Sequence, residues 1–470
     1  MEQTKSRAKK FINDIIVYGI GTLGSKIITF LLVPLYTFFV PVADYGYYDL
    51  CLTVILLMLG IVCLQSHDGV LKYLIEAKDE QRKRQIISST YPILFNNSIV
   101  VFFFTLLISL FTPLHYVWHT AVLLIVWAFY EVEINAYRGL GLNRSFAAAG
   151  VITALLLLVF SLIFVVWLRM GIKGIFASNI LARIVSLFFI EFKTKVLKNY
   201  FSRRAWNRGL NHELVRYSFP LMINSSCWWV IDSSNKFFIE HYLGLVDNGL
   251  YAVVLKFVVI LHVAATIFYK AWQENALQQY ASPDRDSFFS AIFNSFCYGL
   301  AALLIIYCVI VKLCYPYIVG SEYQLSIIYL CPLVVSAMIY SISTFFDLGY
   351  QCSGQTDRSM PSILIAVAVN VAGNFALIQP YGIFGIIASH IMSCSVMLVY
   401  RALDTRKYFK IQVSRSTCII LFLVLVNGAV FYLVESLIGN IIYIAVITCI
   451  IIALAPAKVK EVLKAKLMRH

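Results

Sequence analysis

The chain has 470 residues, of which 60% are hydrophobic and 13% are charged, and its formal net charge is +14 at pH 7. Its mean hydropathy of +0.81 lies far outside the range of soluble domains and indicates an integral membrane protein. Basic connections between membrane segments, which attract anionic lipid headgroups, account for the positive charge, so we expect no nucleic-acid partner.

About fourteen hydrophobic segments follow one another along the chain, each close to the roughly 20 residues that a helix needs to cross a bilayer. They cover residues 11–39, 47–64, 91–111, 120–137, 146–168, 175–191, 219–243, 250–271, 289–314, 327–348, 362–378, 384–403, 417–434 and 440–455. The predicted fold class is therefore an all-α polytopic membrane protein. The first segment is too long for a signal peptide and has no small-residue cleavage site, so we expect it to be retained.

Lysine and arginine are concentrated in alternate connections, which predicts the orientation of the chain because cytoplasmic loops retain basic residues. The basic parts are residues 5–10, 72–84, 193–216, 406–415 and 458–469. Opposite loops such as GLVDNG and QPYGIFG have almost no basic residues. Both termini are therefore expected in the cytoplasm.

Three pairs of similar phrases occur in the same order, at an offset of about 210 residues. They are ADYGYY and VDNGLY (from Ala43 and Val246), YRGLGLNRS and YQCSGQTDRS (from Tyr137 and Tyr350), and GIKGIFASNI and GIFGIIASHI (from Gly171 and Gly382). The members of a pair stand six hydrophobic segments apart, so both copies have the same orientation across the bilayer.

The repeats predict two parallel six-helix lobes around a central cavity, a design in which transporters hold a substrate between the lobes. The predicted boundaries are an N-terminal lobe at 1–191, a basic cytoplasmic linker at 192–216, a C-terminal lobe at 217–403, and two additional transmembrane helices with a basic cytoplasmic tail at 404–470.

Charged residues within hydrophobic segments indicate a cavity, because burying a charge in a membrane costs several kcal/mol unless it has a function. The candidates for a cationic binding site are Lys26, Arg183, Lys236 and Lys256. Lys26 has no acidic residue at three or four positions in either direction, whereas Lys236 follows Asp232 by four residues, the order that favours a helical ion pair. A structural role for Lys236, and interfacial snorkelling for Lys256, stay open as alternatives.

Asp232 is the candidate for ion coupling, because a membrane carboxylate beside a lysine can change its protonation as its surroundings change. Polar and aromatic residues that suit a glycan are Asn224, Trp228, Asn370 and Asn374. Helix packing explains the asparagines equally well. The eleven cysteines are scattered singly without a CxxC pair, so we predict no metal site and no cofactor.

Three stretches resemble one known family, and their order extends the resemblance over nearly the whole chain. They are GSKIITFLLVPLYTFFVPVADYGYYDL, QSHDGVLKYLIE and YSFPLMINSSCWWVIDSSNKFFIEHYLGLVDNGLYAVVLKF. They are similar to the bacterial polysaccharide flippases of the multidrug/oligosaccharidyl-lipid/polysaccharide exporter superfamily, the Wzx-type transporters of O-antigen and capsule synthesis.

The resemblance implies a non-enzymatic transporter of the bacterial cytoplasmic membrane that works by alternating access. Its expected substrate is an oligosaccharide on undecaprenyl pyrophosphate, and its expected partners are membrane lipids and other membrane proteins of polysaccharide assembly. Lys26, Lys236 and Lys256 match the basic positions that commonly line a cationic cavity in this family. Lysine replaces the arginine often seen there, which removes the bidentate geometry for phosphate.

Three alternatives remain. A flippase of the peptidoglycan precursor would share the fourteen segments. A multidrug exporter of the same superfamily would prefer an acidic cavity, whereas the mid-segment charges here are mainly basic. A membrane polysaccharide polymerase or glycosyltransferase would need a sizeable outer loop or an acidic catalytic pair, and the outer loops are mostly short.

Overall fold

A computed structural model describes residues 28–113, 115–355 and 358–454, and these residues form helices and connections without any β-strand. The helices are α1 Leu32–Phe39, α2 Val42–Val62, α3 Ser66–Glu76, α4 Glu80–Phe111, α5 Val117–Gly139, α6 Asn143–Ser161, α7 Gly171–Thr194, α8 Val196–Tyr200, α9 Arg208–Tyr242, α10 Leu245–Gln279, α11 Arg285–Ile318, α12 Leu330–Cys352, α13 Ser359–Asp404, α14 Arg415–Leu433 and α15 Leu437–Leu454. A π-helical turn, Leu162–Trp167, extends α6, and a 3-10 helix, Ser321–Tyr329, precedes α12.

Ten helical stretches of the described residues are long and apolar enough to cross a membrane, and two shorter apolar helices, Ile28–Phe39 and Leu437–Ala453, stand near the two ends of the described chain. The longest helix, α13, is broken at Gly382 (φ 57°, ψ −135°). Its two halves match the predicted segments at 362–378 and 384–403. The prediction of a polytopic all-α membrane protein is confirmed.

The described residues divide within α9, between Ser234 and Asn235, into two compact units. In the first unit, α6 packs along α7 and α3 packs against α5. In the second unit, α12 packs along α13 and against α10. Each unit therefore has its own helical core.

The last two helices, α14 and α15, both pack against α11 of the second unit. Lys312 on α11 donates hydrogen bonds to the carbonyl oxygens of Phe431 and, at 2.7 Å, Val434. These carbonyls lie at the C-terminal end of α14, where backbone acceptors lack helical partners and a cation is favoured. Lys312 therefore fastens the end of α14 to the second unit.

The repeated phrase GIxG has the same local structure in both units. Its first glycine begins a helical stretch and has a positive φ, 56° at Gly171 and 57° at Gly382. Residues that have a Cβ atom adopt a positive φ only at a cost in free energy, whereas glycine does so readily. Its second glycine brings the helix close to the end of the preceding helix. A Cβ atom on Gly174 would lie 3.0 Å from the carbonyl oxygen of Phe164, and one on Gly385 would clash with a backbone carbonyl.

A serine follows the second glycine by four residues in both copies. The Ser178 hydroxyl donates to the Gly174 carbonyl oxygen at 2.7 Å, and the Ser389 hydroxyl donates to that of Gly385 at 2.8 Å. Such a bond satisfies the hydroxyl inside the helix itself. The phrase recurs because it specifies a turn and a close helix contact.

Candidate functional site

Arg183 is a buried cation on α7 of the first unit, with 7% of its surface exposed. Its guanidinium carbon lies 3.7 Å from the centroid of the Trp127 ring, and Nη1 donates to the carbonyl and side-chain oxygens of Asn179 at 3.0 and 2.9 Å. Its Nε has no hydrogen-bond partner, and no carboxylate of the described residues forms an ion pair with it. The site therefore holds a positive charge that a neighbouring acid does not neutralise directly.

Two pairs at a spacing of four residues build this site, because such residues share one helix face. Asn179 and Arg183 form the pair on α7. On α5, the indole nitrogen of Trp127 donates to Glu131 at 3.0 Å, which keeps that carboxylate bound to the ring that stacks on Arg183. Asn179 in turn donates to the hydroxyl of Tyr48 on α2 at 2.8 Å.

A second polar feature of the first unit lies where α2 gives way to α3, at the motif QSHDG. Leu64 and Gln65 have φ angles of 47° and 51°, an uncommon conformation for residues other than glycine. Backbone strain of this kind is concentrated at functional sites. It turns the chain so that the Gln65 side chain donates to Asp68 at 2.9 Å.

A cavity of ≈ 160 Å³ adjoins this turn. Its polar lining consists of Gln65, His67, Ser225, Ser226 and Trp229. The Trp229 indole donates to the carbonyl oxygen of Thr53 at 2.9 Å, whereas His67 Nδ1 has no hydrogen-bond partner among the described residues. An aromatic ring together with hydroxyl, amide and imidazole groups suits a polar ligand with an apolar face.

Gln65 and His67 were not predicted as ligand contacts. Asn224 and Trp228 were, but their side chains lie outside the described residues. The neighbouring Ser225, Ser226 and Trp229 line the cavity. The consecutive polar residues of QSHDG, directly after a hydrophobic segment, were the available signal.

In the second unit, two of the predicted glycan-contact residues lie together. The Asn374 amide donates to Asn235 at 2.8 Å and to Asn370 at 3.3 Å, and all three side chains are buried. Asn370 Nδ2 and Asn374 Oδ1 have no hydrogen-bond partner among the described residues. The cluster therefore retains unused hydrogen-bonding capacity.

The predicted cations of the second unit, Lys236 and Lys256, are half-buried. Lys236 lies on α9 directly after Asn235, and Lys256 lies on α10. Lys26 lies outside the described residues, as does the side chain of Asp232. The structure describes no cluster of three His, Cys, Asp or Glu side chains in residues 28–113, 115–355 and 358–454 that could hold a metal ion.

The second unit also contains a fully buried arginine that the sequence analysis did not select. Arg401 on α13 forms an ion pair with Asp347 of α12 at 3.2 Å. It also donates to the hydroxyls of Ser362 at 2.9 Å and Ser359 at 3.2 Å. A buried arginine with an acid and two hydroxyls is satisfied within the protein.

Three solved structures are similar in fold. A multidrug resistance MATE family transporter of the MOP superfamily, in an inward-facing conformation, has a TM-score of 0.62 at 14% identity, over 83% of this chain and 93% of that chain. The lipid II flippase MurJ has a TM-score of 0.67 at 12% identity, over 93% and 98%. The MATE transporter VcmN of Vibrio cholerae, in a mutant form, has a TM-score of 0.57 at 15% identity, over 87% and 98%.

These similarities show that the chain is a multi-pass membrane protein with the fold of the MOP-superfamily transporters and flippases. The family model of polysaccharide biosynthesis proteins matches residues 11–273, which is more than half of the chain. The chain belongs to this family. The resemblance to polysaccharide flippases of this superfamily is thereby confirmed, although no curated protein sequence matches the chain.

Proposed function

We propose that this protein is a flippase for an oligosaccharide linked to undecaprenyl pyrophosphate, which it moves from the cytoplasmic to the outer leaflet by alternating access. It lies in the bacterial cytoplasmic membrane with both termini in the cytoplasm and supplies O-antigen or capsule synthesis. Family membership and fold support a flippase or transporter. The observation that carries the choice of an anionic substrate is the buried Arg183 with no ion-paired carboxylate among the described residues.

The pyrophosphate is the strongly anionic part of this substrate, and its transfer across the membrane needs compensating positive charge. Arginine suits this task because its planar guanidinium can donate two parallel hydrogen bonds to phosphate oxygens. Arg183 has an unused donor at Nε. Lys26, Lys236 and Lys256 add further positive charge along the route of the headgroup, and Asp232 couples the cycle to an ion.

The sugars need hydrogen-bonding groups and an apolar surface on which a ring can pack. The cavity at QSHDG supplies His67 and Trp229, and we assign to Asn224 and Trp228 a role beside them. Asn370 and Asn374 supply unused amide groups in the second unit. In this proposal the lobes comprise residues 1–191 and 217–403, and the helices α14 and α15 extend the second lobe.

The buried charge of Arg183 is also relevant to two of the alternative functions. A multidrug exporter for cationic compounds would be hindered by a buried positive charge, whereas a flippase for the peptidoglycan precursor would have the same need for cations. MurJ, a lipid II flippase, has a similar fold. The family match to polysaccharide biosynthesis proteins favours a surface polysaccharide.

Deletion of the gene in its native host tests the proposal. The lipid-linked glycan that accumulates is extracted and identified, and its leaflet is determined with an impermeant glycosidase. We expect a polysaccharide repeat unit on undecaprenyl pyrophosphate, protected in the cytoplasmic leaflet. Accumulation of the peptidoglycan precursor, or no accumulation of any lipid-linked glycan, would contradict the proposal.

A further inference from the structure

Two histidines of the second unit lie within helices that are long and apolar enough to cross the membrane. His262 lies on α10, and His390 lies on the second half of α13, after the break at Gly382. Both side chains are half-buried. An ionisable side chain within a membrane segment is costly and commonly marks the path of an ion or a proton. The proposed function uses neither histidine.

The imidazole of His390 has a neighbour for each of its ring nitrogens. Nδ1 lies 2.6 Å from the hydroxyl oxygen of Ser336 on α12, and Nε2 lies 3.9 Å from the sulfur of Cys394, one turn further along α13. A hydroxyl can donate or accept a hydrogen bond, and so can a thiol, though more weakly. The neutral ring can therefore accept from the serine hydroxyl, and the protonated ring can donate to it. The same two neighbours satisfy both protonation states of His390.

His262 reaches the same face of α12. Its ring centroid lies 5.7 Å from that of Tyr340, in an edge-on arrangement with an angle of 72° between the rings. Ser336 and Tyr340 are four residues apart and share one helix face. The imidazoles of His262 and His390 are close enough to interact electrostatically. Since two charged imidazoles repel each other, the pair takes up a first proton more readily than a second.

The surroundings of the pair provide no counter-charge. No acidic side chain of residues 28–113, 115–355 and 358–454 forms an ion pair with either imidazole. The titratable groups that face the pair are Tyr340 on α12 and Cys394 on α13, and both residue types are mainly neutral at pH 7. Further along the same helices are Lys256 and the ion pair of Asp347 with Arg401. A proton on this pair is therefore a positive charge that no neighbouring acid neutralises directly.

The internal repeat gives the position of His390 an additional meaning. His390 is the ninth residue of its copy of the repeated phrase, and Asn179 is the ninth residue of the other copy. In the first unit Asn179 binds the guanidinium of Arg183, which is a permanent cation. The second unit has an imidazole in place of the amide, and the charge of an imidazole depends on pH.

We propose that His262 and His390 form a proton-binding site of the second unit, and that the protonated site favours a different conformation of α10, α12 and α13. In the described conformation the pair is half-buried without an ion-paired acid, and a charge within a membrane costs several kcal/mol. A conformation that exposes the pair to water or to an anion reduces this cost, so proton binding and opening favour each other.

This site is additional to the candidate Asp232. In the proposed function it identifies a proton as a coupled ion, and this consequence alone rests on the proposed function. The proton-binding site itself does not depend on what the protein transports.

Solid-state NMR of the full-length protein with isotopically labelled histidine, reconstituted in lipid bilayers, tests proton binding directly. The ring nitrogen shifts distinguish a neutral imidazole from a charged one, and the chain has eight histidines. We expect the His390 signal, identified by its loss in His390→Asn, to change from neutral to charged between about pH 8 and pH 5. We also expect His262 to titrate over a broader pH range than a single group does, and His390→Asn to narrow that range. His212→Asn, which removes an exposed histidine on α9, leaves both titrations unchanged.

Flipping in proteoliposomes with an imposed pH gradient tests the consequence for transport. A gradient of about one pH unit changes the flipping of a proton-coupled protein by up to about tenfold. We expect His390→Asn, which introduces the residue of the first repeat, to retain flipping and to lose this response. If His390→Asn does not yield folded protein, His390→Gln provides the same test. The control His212→Asn responds to the gradient like the wild-type protein.

A His390 imidazole that stays neutral over the whole pH range would overturn the proposal. A gradient response of the wild-type size in folded His390→Asn would also overturn it. Failure of the wild-type protein to flip the lipid-linked glycan would contradict the proposed function instead, and the NMR titration would still decide whether the histidines bind a proton.

Discussion

Among the described residues, each unit contains one buried arginine, and the two arginines have opposite surroundings. Arg401 in the second unit is paired with Asp347 at 3.2 Å and bonded to two serine hydroxyls. Arg183 in the first unit stacks on Trp127 and bonds to Asn179 without an ion-paired acid among the described residues. The surroundings of Arg401 are those of a structural residue, whereas we propose that Arg183 retains its charge for an anionic ligand.

The internal repeat shows which residue of the second unit occupies the position equivalent to Arg183. Counted from the first glycine of the repeated phrase, Asn179 corresponds to His390 and Arg183 corresponds to Cys394. The turn and the serine hydrogen bond are shared, but the second unit has no cation at this position. The His390 side chain bonds instead to Ser336 at 2.6 Å. The two copies therefore share a scaffold, and only the first copy has the arginine site.

The largest expected effect on stability comes from replacing Arg401. Arg401→Leu leaves the half-buried Asp347 without its cation, and breaking a buried pair costs up to about 3–5 kcal/mol. We expect a much lower membrane abundance and melting temperature, measured on purified protein in detergent, with partial recovery in the double variant that also has Asp347→Leu. A stable Arg401→Leu protein that has lost export would contradict the structural role.

Asn179→Asp would convert the surroundings of Arg183 into those of Arg401. The change is nearly isosteric and places a carboxylate where Asn179 Oδ1 now lies, 2.9 Å from Nη1. The variant also loses the amide donor to the Tyr48 hydroxyl and to the Ile175 carbonyl oxygen, so export is compared at equal amounts of folded protein. On that basis we expect a loss of export of about tenfold or more, since a hydrogen bond to a charged group contributes about 1.5–3 kcal/mol. The measurement is surface polysaccharide in a complemented deletion strain. Asn199→Asp, which adds the same charge at an exposed site on α8, is the control, and equal export by both variants would count against the claim.

Trp127→Leu tests the aromatic support of Arg183. It removes a stacking contact at 3.7 Å, which contributes about 2 kcal/mol when the pair is desolvated. We expect export to fall severalfold and Trp127→Phe to retain part of it, because the phenyl ring preserves a weaker cation–π contact. Identical initial rates of export in the leucine and wild-type proteins would show that the ring does not position the guanidinium.

The smallest expected effect is at the shared turn. Gly171→Ala introduces a Cβ atom that meets no atom within 4 Å. The free energy of unfolding should therefore fall only because alanine disfavours a positive φ, by about 1 kcal/mol. Gly382 has the same φ with ψ −135°, a combination outside the left-handed helical region and nearly restricted to glycine, so Gly382→Ala should cost about 1–3 kcal/mol. Thermal unfolding of both variants checks this, and an unchanged stability of Gly382→Ala would contradict the account.

The sequence was sufficient for the membrane class, for the segments and for the family, because apolar composition and length decide which helices cross a bilayer. The ends of the helices were harder to predict from the sequence. The helix α4 begins at Glu80, eleven residues before the predicted segment, because Asp79 caps it by accepting a hydrogen bond from the Arg82 backbone at 2.6 Å. The polar helix α3 was not predicted, since a search for apolar runs passes over it.

The candidate site was only partly predictable. Arg183 stood out because it interrupts a hydrophobic segment. Its partner Trp127 did not, because that contact joins two helices far apart in sequence. The ion pair of Arg401 with Asp347 was missed for the same reason. Tertiary contacts of this kind have no local pattern, whereas a charge in an apolar run does.

The most direct test of the central claim is a flipping assay in proteoliposomes with a fluorescent oligosaccharide on undecaprenyl pyrophosphate. The wild-type protein, Arg183→Gln and the repeat-related control Cys394→Ser are compared at equal protein content. We predict rapid flipping by the wild-type and Cys394→Ser proteins, and flipping at least roughly tenfold slower for Arg183→Gln. Wild-type flipping by folded Arg183→Gln protein would contradict the claim that this arginine compensates the charge of the pyrophosphate.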